Sequence, residues 1–207
     1  MNSLWFSIMN SPRVWFLIAM KLVDENLLQI SLILTNSTDI CAFRNAEKMI
    51  REARPEDAAA MLSLIKELAV YENEPDAVLI DENTLVREGF SERPLFKCFV
   101  AEAEGNVVGM ALVYFRFSTW AGKGLYLEDL IVKEEFRGLG LGKKLLDQVI
   151  RYGHQQDVGR IDWVVLDWNE SAIEFYKGVG ANLLTDWYIA QMDRAAIGNY
   201  IEKNAGI

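Results

Sequence analysis

The chain has one histidine and two cysteines among 207 residues, and 21 basic side chains against 30 acidic ones. Each scarcity narrows the chemistry open to it. A histidine-based nucleophile triad would have to be built on His154, which lies near the end of a helical pattern, where a helix dipole favours a cationic side chain. Cys41 and Cys98 sit in no metal-ligand spacing and make no disulfide framework, which points to a reducing cytoplasm. A formal net charge of −9 disfavours nucleic acid, whose non-specific binding is driven by basic patches. The same charge suits a cationic ligand through long-range attraction. Long apolar runs are missing as well. Val14–Met20 is stopped by Lys21, far short of the roughly 20 residues that span a bilayer, and Leu27–Leu34 is interrupted by Gln29 and Ser31. Arg13 precedes the first run as in a signal peptide, but no small-x-small cleavage site follows. No membrane association is expected.

What remains is a globular composition, 51% hydrophobic and 25% charged, of a length that suits one domain with a substantial core. Residues 1–48 read differently from the rest. They are expected to be an N-terminal extension outside the working protein, with an added helix or anchor and a signal as the other readings. The working domain is expected over 49–207, with Met49 as its start. There are no repeats and no low-complexity tract.

From Ile50 the pattern is strand, helices, strands, helix, strand, helix, strand. Ile50–Arg54 is a short strand, and Pro55 suits the first turn of a helix. Leu62, Ile65, Leu68 and Ala69 recur at helical spacing, and Asp81 opens a shorter helix to about Phe90. Phe96–Glu104 and Val107–Phe117 form a hairpin around Glu104-Gly105-Asn106. Tyr126–Val132 is apolar enough for a central strand. Leu141, Leu145, Leu146, Val149 and Ile150 then make one helical stripe. Ile161–Leu166 and Tyr188–Met192 read as further strands.

The most informative stretch follows Tyr126–Val132: Arg137-Gly138-Leu139-Gly140-Leu141-Gly142-Lys143, opening a helix. A strand, a glycine-rich turn and a helix N-terminus present unpaired amides and a positive dipole end to an anion, and glycine lets a pyrophosphate approach the backbone. The spacing excludes a Walker loop, because Lys144 stands where Ser or Thr is needed, and a dinucleotide fingerprint, because Lys143 stands where its last glycine belongs. A second motif runs Leu166-Asp167-Trp168-Asn169-Glu170-Ser171 to Phe175-Tyr176-Lys177, then Gly180-Ala181. Ser171 is a candidate N-cap, with Glu174 completing a capping box. Asn169 lies just outside that helix and Tyr176 about a turn inside it, so the pair could bracket one elongated ligand.

Together these residues resemble the GNAT N-acetyltransferases. Arg137-x-x-Gly140-x-Gly142 matches their acetyl-coenzyme A loop, and the Asn169 to Ala181 block matches their C-terminal motif. Leu64–Glu72, Trp120–Lys123 and Tyr126–Asp129 resemble the diamine acetyltransferase group, which contains spermidine/spermine and thialysine enzymes. Ser118-Thr119-Trp120 and Leu166–Asn169 look more like the thialysine branch, since the polyamine branch has an acidic residue at the position of Ser118. The resemblance runs from about Ile50 to about Asp193. It implies an α/β (α+β) GNAT fold with a mixed central sheet of about six to seven strands, splayed in the middle and flanked by helices on both faces.

The resemblance also implies roles. Acetyl transfer to an amine needs a deprotonated amine, a donor for the carbonyl oxygen and a proton for the leaving thiolate. Tyr176 is implied as general acid and Glu128 as the group assisting amine deprotonation. Alternation places Glu128 and Asp129 on opposite sides of the strand unless a bulge intervenes. Leu130, Ile131 and Val132 are expected to offer a backbone N–H to the carbonyl oxygen. Arg137, Gly138, Leu139, Gly140, Leu141, Gly142 and Lys143 would hold the pyrophosphate of acetyl-CoA, with Asn169, Ser171 and Tyr176 along the rest of the molecule. Tyr71, Glu72, Trp120, Glu128 and Asp129 are expected to line the amine site, and Trp120 could offer its ring to a cation. The implied protein is a homodimer that uses no metal and binds neither nucleic acid nor membrane. Its expected reaction moves acetyl from acetyl-CoA to a small amino acid or diamine, thialysine- or lysine-like before polyamine. The alternatives are a polyamine acetyltransferase and, in another class, a non-catalytic acetyl-CoA-binding regulatory module.

Overall fold

The computed structural model describes residues 49–205; the expected extension over 1–48 lies outside them. The chain divides into two compact units, the first ending at Trp163 and the second beginning at Val164. The first holds β1 (Met49–Glu52), a 3₁₀ turn (Pro55–Asp57), α1 (Ala58–Tyr71), α2 (Glu82–Gly89), β2 (Lys97–Ala103), β3 (Asn106–Ser118), β4 (Gly122–Val132), α3 (Leu141–Gln155) and β5 (Arg160–Asp162). The second holds α4 (Glu170–Gly178) and α5 (Arg194–Asn204).

The sheet runs β1-β2-β3-β4-β5 in space. Its first four strands pair antiparallel, with short turns joining β2 to β3 and β3 to β4, and β5 lies parallel to β4. Parallel pairing requires a crossover, which α3 supplies. The sheet is therefore mixed, as expected, but has five strands among the described residues rather than six or seven. Strand β5 ends at Asp162 instead of reaching Leu166, and its ladder with β4 stops at Tyr126↔Asp162. Residues 188–192 form no strand. Tyr188 is 99% exposed and Ile189 is 70% exposed; an apolar pattern makes a strand only where a neighbour takes its backbone hydrogen bonds.

One sheet face packs on α1. Ala58, Met61 and Leu64 join Cys98, Val100, Met110, Leu112 and Ile131 in one core, with Leu62, Ile65 and Leu68 half-buried beside them. Of the expected stripe on α1, Ala69 is buried and the other three are half-buried, while the deepest positions are Ala58, Met61 and Leu64, because a helix beginning Ala-Ala-Ala-Met-Leu is apolar on several sides and periodicity alone cannot choose among them. On α3, Leu141, Leu145, Leu146 and Val149 are buried as expected, whereas Ile150 is exposed. Asp81 caps α2 by accepting from the Thr84 amide at 2.8 Å.

The entry to α1 is pinned by charge. Arg51 on β1 donates to both carboxylate oxygens of Asp57, at 2.7 and 2.9 Å, and to Glu102 at 2.7 Å. Asp57 also accepts from the Arg54 amide at 2.7 Å. The Arg51 guanidinium holds the Asp57 carboxyl below the usual range despite its burial. A depressed carboxyl pKa adds stability above the unfolded value and loses it as pH falls through the folded one. Asp57→Asn is expected to cost about 2 kcal/mol at pH 7, read from urea unfolding. The difference from the parent should shrink below about pH 4, and a difference independent of pH would assign the loss to packing.

Candidate active site

Strand β4 leads into the glycine loop. Arg137 Nε donates to the carbonyl of Val132 at 3.0 Å, tying the loop to the strand end, and its guanidinium lies 5.5 Å from the centre of the Tyr71 ring. Gly138 and Gly140 have φ of 73° and 79°, the left-handed region where a Cβ is strained. A Cβ added at either would meet nothing within 4 Å, so conformation rather than crowding requires glycine and the space above the loop is open. Gly140 is the N-cap of α3 and has no side chain to cap it. The helical ladder begins with the Lys144 amide bonding Gly140 at 3.1 Å, which leaves the amides of Leu141, Gly142 and Lys143 ahead of it at the positive end of the dipole. Lys143 adds a charge shared with Asp147 at 3.1 Å. Leu141 is buried, so it can serve a ligand through its backbone alone. These features fit a pyrophosphate-bearing ligand.

The sheet supplies the second element. Leu112 pairs with Asp129 but Val113 pairs with Leu127, so Glu128 is an extra residue in β4. This is a β-bulge, which re-aims side chains and bends the strand. It resolves the Glu128-Asp129 question. Asp129 lies on the Leu112 side of the sheet, which faces α1, and Glu128 turns to the same neighbourhood instead of the opposite one. Glu128 hydrogen-bonds the Tyr114 hydroxyl, and burial together with that carboxylate pushes Tyr114 up to about 12. Glu72, at the C-terminal cap of α1, reaches the group from the helix. Burial, then Glu128, then Glu72 push the Asp129 carboxyl up to about 6. Burial also raises Glu72. The bulge thus concentrates negative charge beside a half-buried acid that takes up a proton near neutrality. Among the described residues the outer edge of β4 has no strand ladder beyond Tyr126, so the stretch Leu130–Val132 pairs with β3 alone. Among the described residues no group of three or more His, Cys, Asp or Glu is placed to hold a metal ion.

Two expected amine-site residues fall differently. Tyr71 ends α1 next to Glu72 and under Arg137. Trp120, 81% exposed, stands at the β3–β4 turn, where Ser118 Oγ accepts from the Trp120 and Ala121 amides at 3.2 Å each. From Gly122 to Asp129 is about 23 Å of strand, so the first unit does not bring Trp120 to the acidic trio. Sequence reasoning missed Tyr114, Arg116, Tyr126 and Asp162. Their only signal was alternation on paired strands, which cannot be read across an unseen bulge.

In the second unit the N-cap of α4 is Asn169, whose side chain accepts from the Ala172 amide at 3.2 Å. Ser171, the expected cap, lies inside the helix, and Glu174 pairs with Lys177 at 2.8 Å instead of closing a capping box. Asn and Ser cap about equally well, and capping at Asn169 starts the helix two residues sooner. The Asn169 oxygen is therefore committed to the helix. Tyr176 is buried, its ring 5.3 Å from that of Phe175. The Gly180-Ala181 motif closes the helix, with the Ala181 amide returning to the Tyr176 carbonyl at 3.1 Å.

Removing a negative neighbour favours the charged form of Asp129. In Glu128→Gln, the carboxyl signal of Asp129 in a ¹³C NMR titration is therefore expected to shift its midpoint down from about 6. A raised carboxyl pKa lowers stability as pH rises through it. Asp129→Asn should accordingly unfold at higher temperature than the parent at pH 8, and an unchanged Asp129 midpoint in Glu128→Gln would separate the two carboxylates.

Comparison with known proteins gives the family. Residues 58–181 match the acetyltransferase (GNAT) family. The thialysine N-epsilon-acetyltransferase of Bos taurus is 41% identical over 160 residues, covering 72% of this chain and 94% of its own length. The spermidine/spermine N(1)-acetyltransferase-like protein 1 of Homo sapiens is 35% identical over 155 residues, covering 70% of this chain and 22% of its own. Among solved structures, the aminoglycoside N-acetyltransferase AAC(6')-Iy in complex with CoA superposes with a TM-score of 0.58 at 21% identity, over 72% of this chain and 97% of that one. A glycine loop on a helix N-terminus, a bulged strand beside it and this likeness have one reading: the chain belongs to the GNAT family and is an N-acetyltransferase.

Proposed function

We propose that the chain moves acetyl from acetyl-CoA directly to the side-chain amine of a small amino acid or diamine, with thialysine- or lysine-like acceptors ahead of polyamines. The observation that carries this reading is the bulge at Glu128, which gathers Glu128, Asp129 and Glu72 on one side of the sheet. An alkylammonium with a pKa of about 10.4 has no lone pair to attack with. Negative charge attracts it, and Asp129 or Glu128, directly or through water, takes the proton it must lose. The amine nitrogen then bonds to the acetyl carbon. A backbone N–H from Leu130, Ile131 or Val132 on the open edge of β4 faces the carbonyl oxygen as it gains charge. As the carbon–sulfur bond breaks, the Tyr176 hydroxyl donates its proton to the thiolate. The amides of Gly138 to Lys143, with Arg137, hold the pyrophosphate, while Asn169 and Ser171 serve the pantetheine arm.

The relatives named for thialysine support the amino-acid acceptor. The acidic trio also suits a polycation, and this favours polyamine acetylation as the second reading. We further propose a cytoplasmic homodimer in which Trp120, far from the trio of its own chain, completes the partner's amine site.

Release of free thiol from acetyl-CoA across a panel of amines tests the proposal. Release with lysine and thialysine exceeding that with spermidine is expected, the reverse order assigns the polyamine reading, and release with none sinks both. Tyr176→Phe is expected to lower kcat by about 10²-fold while leaving the KM for acetyl-CoA within about twofold; equal loss in both would retire Tyr176 as the acid.

A further inference from the structure

The sheet face that carries Glu128 continues toward a cation. Arg116 lies two residues beyond Tyr114 on β3, hence on the same side. Its Nη2 is 2.7 Å from Asp162 Oδ2, and Arg160 Nε is 2.9 Å from the same oxygen. Two guanidiniums sharing one carboxylate leave this trio of side chains with one positive charge in excess. Arg116 leans over the Tyr126 ring, 5.2 Å from its centre, and that ring lies 5.3 Å from the ring of Tyr114, which bonds Glu128. The order along the face is therefore cation, two aromatic rings, anion.

We propose, resting on the amine-acceptor reading above, that Arg116 receives the α-carboxylate of a zwitterionic amino acid whose distal amine is held by Glu128 and Asp129. The charge arrangement has the polarity of such an acceptor. Leu112, the partner of Asp129, is four residues or about 13 Å from Arg116 along β3, and the guanidinium leans back over the Tyr126 ring toward the acids, which shortens the gap an acceptor has to span. A guanidinium binds a carboxylate through two parallel hydrogen bonds. Arg160 keeps Asp162 paired when Arg116 turns to the ligand, so no buried carboxylate is left unanswered. The same cation repels the far ammonium of a diamine, which makes Arg116 a discriminator as well as a binder.

Lysine and cadaverine differ only by the carboxylate, so the ratio of their kcat/KM values reads the contact. The wild-type protein should favour lysine by about tenfold or more, the scale of a charge-assisted hydrogen bond. Arg116→Gln should bring the ratio near one by raising the KM for lysine with kcat little changed, and Arg116→Lys should retain part of the preference. Asp162→Asn, which removes the competitor for the guanidinium, should move the ratio the other way. A ratio indifferent to Arg116, or equal losses for both amines, overturns the assignment while the amine-acceptor reading stands. Turnover of neither amine by the wild type overturns the acceptor reading itself.

Discussion

One inserted residue governs the site. With a regular ladder between β3 and β4, Glu128 and Asp129 would point to opposite faces, and no acidic group could form over the end of α1. Because Val113 pairs with Leu127 while Leu112 pairs with Asp129, the strand absorbs Glu128 as a bulge, and the two carboxylates become neighbours. That register adds the Glu128 charge to the burial that already pushes Asp129 and Tyr114 up, and Tyr126 and Arg116 stand beside them. Such an arrangement opposes folding at neutral pH, since like charges are held together in a partly buried place. It persists because the core on the same sheet face, from Met61 and Leu64 to Met110 and Ile131, holds both strands in register.

The bulge and the glycine loop lie on one continuous element. Strand β4 carries the acidic pair, then the Leu130–Val132 edge, and passes within a few residues into Gly138 and Gly140. Rigid strand and rigid helix flank a short turn whose backbone conformation excludes most side chains. The Arg137 bond to the Val132 carbonyl fixes the turn to the strand. This gives a physical reason for one strand to serve both the proposed anion-binding loop and the proposed amine side: distances along a strand and at a helix start are set by backbone hydrogen bonds and not by loop motion.

Local signals carried much of this into the amino-acid sequence. The hairpin of β2 and β3, the Asp81 cap of α2 and the α3 stripe each depend on neighbours in the chain, and each was legible. Failures came where a partner distant in sequence decides. The apolar phase of α1 had several equivalent solutions. The apolar residues 188–192 are in no strand among the described residues, and Ser171 lost the α4 cap to Asn169, an equally good cap two residues earlier. Trp120 belongs to the expected motif yet stands along the hairpin from the acids, because motif membership does not encode distance.

By itself the sequence determined the family, the anion-binding turn and the chemical identity of the acid, base and amine-site candidates, since these follow from residue types at fixed short spacings. Tertiary structure alone decided which carboxylates share a face, which of them is pushed up to about 6, and that Arg116 and Asp162 stand at the far end of the same row. Those outcomes depend on strand register and on burial, and both are properties of the assembled sheet that no single stretch of chain possesses.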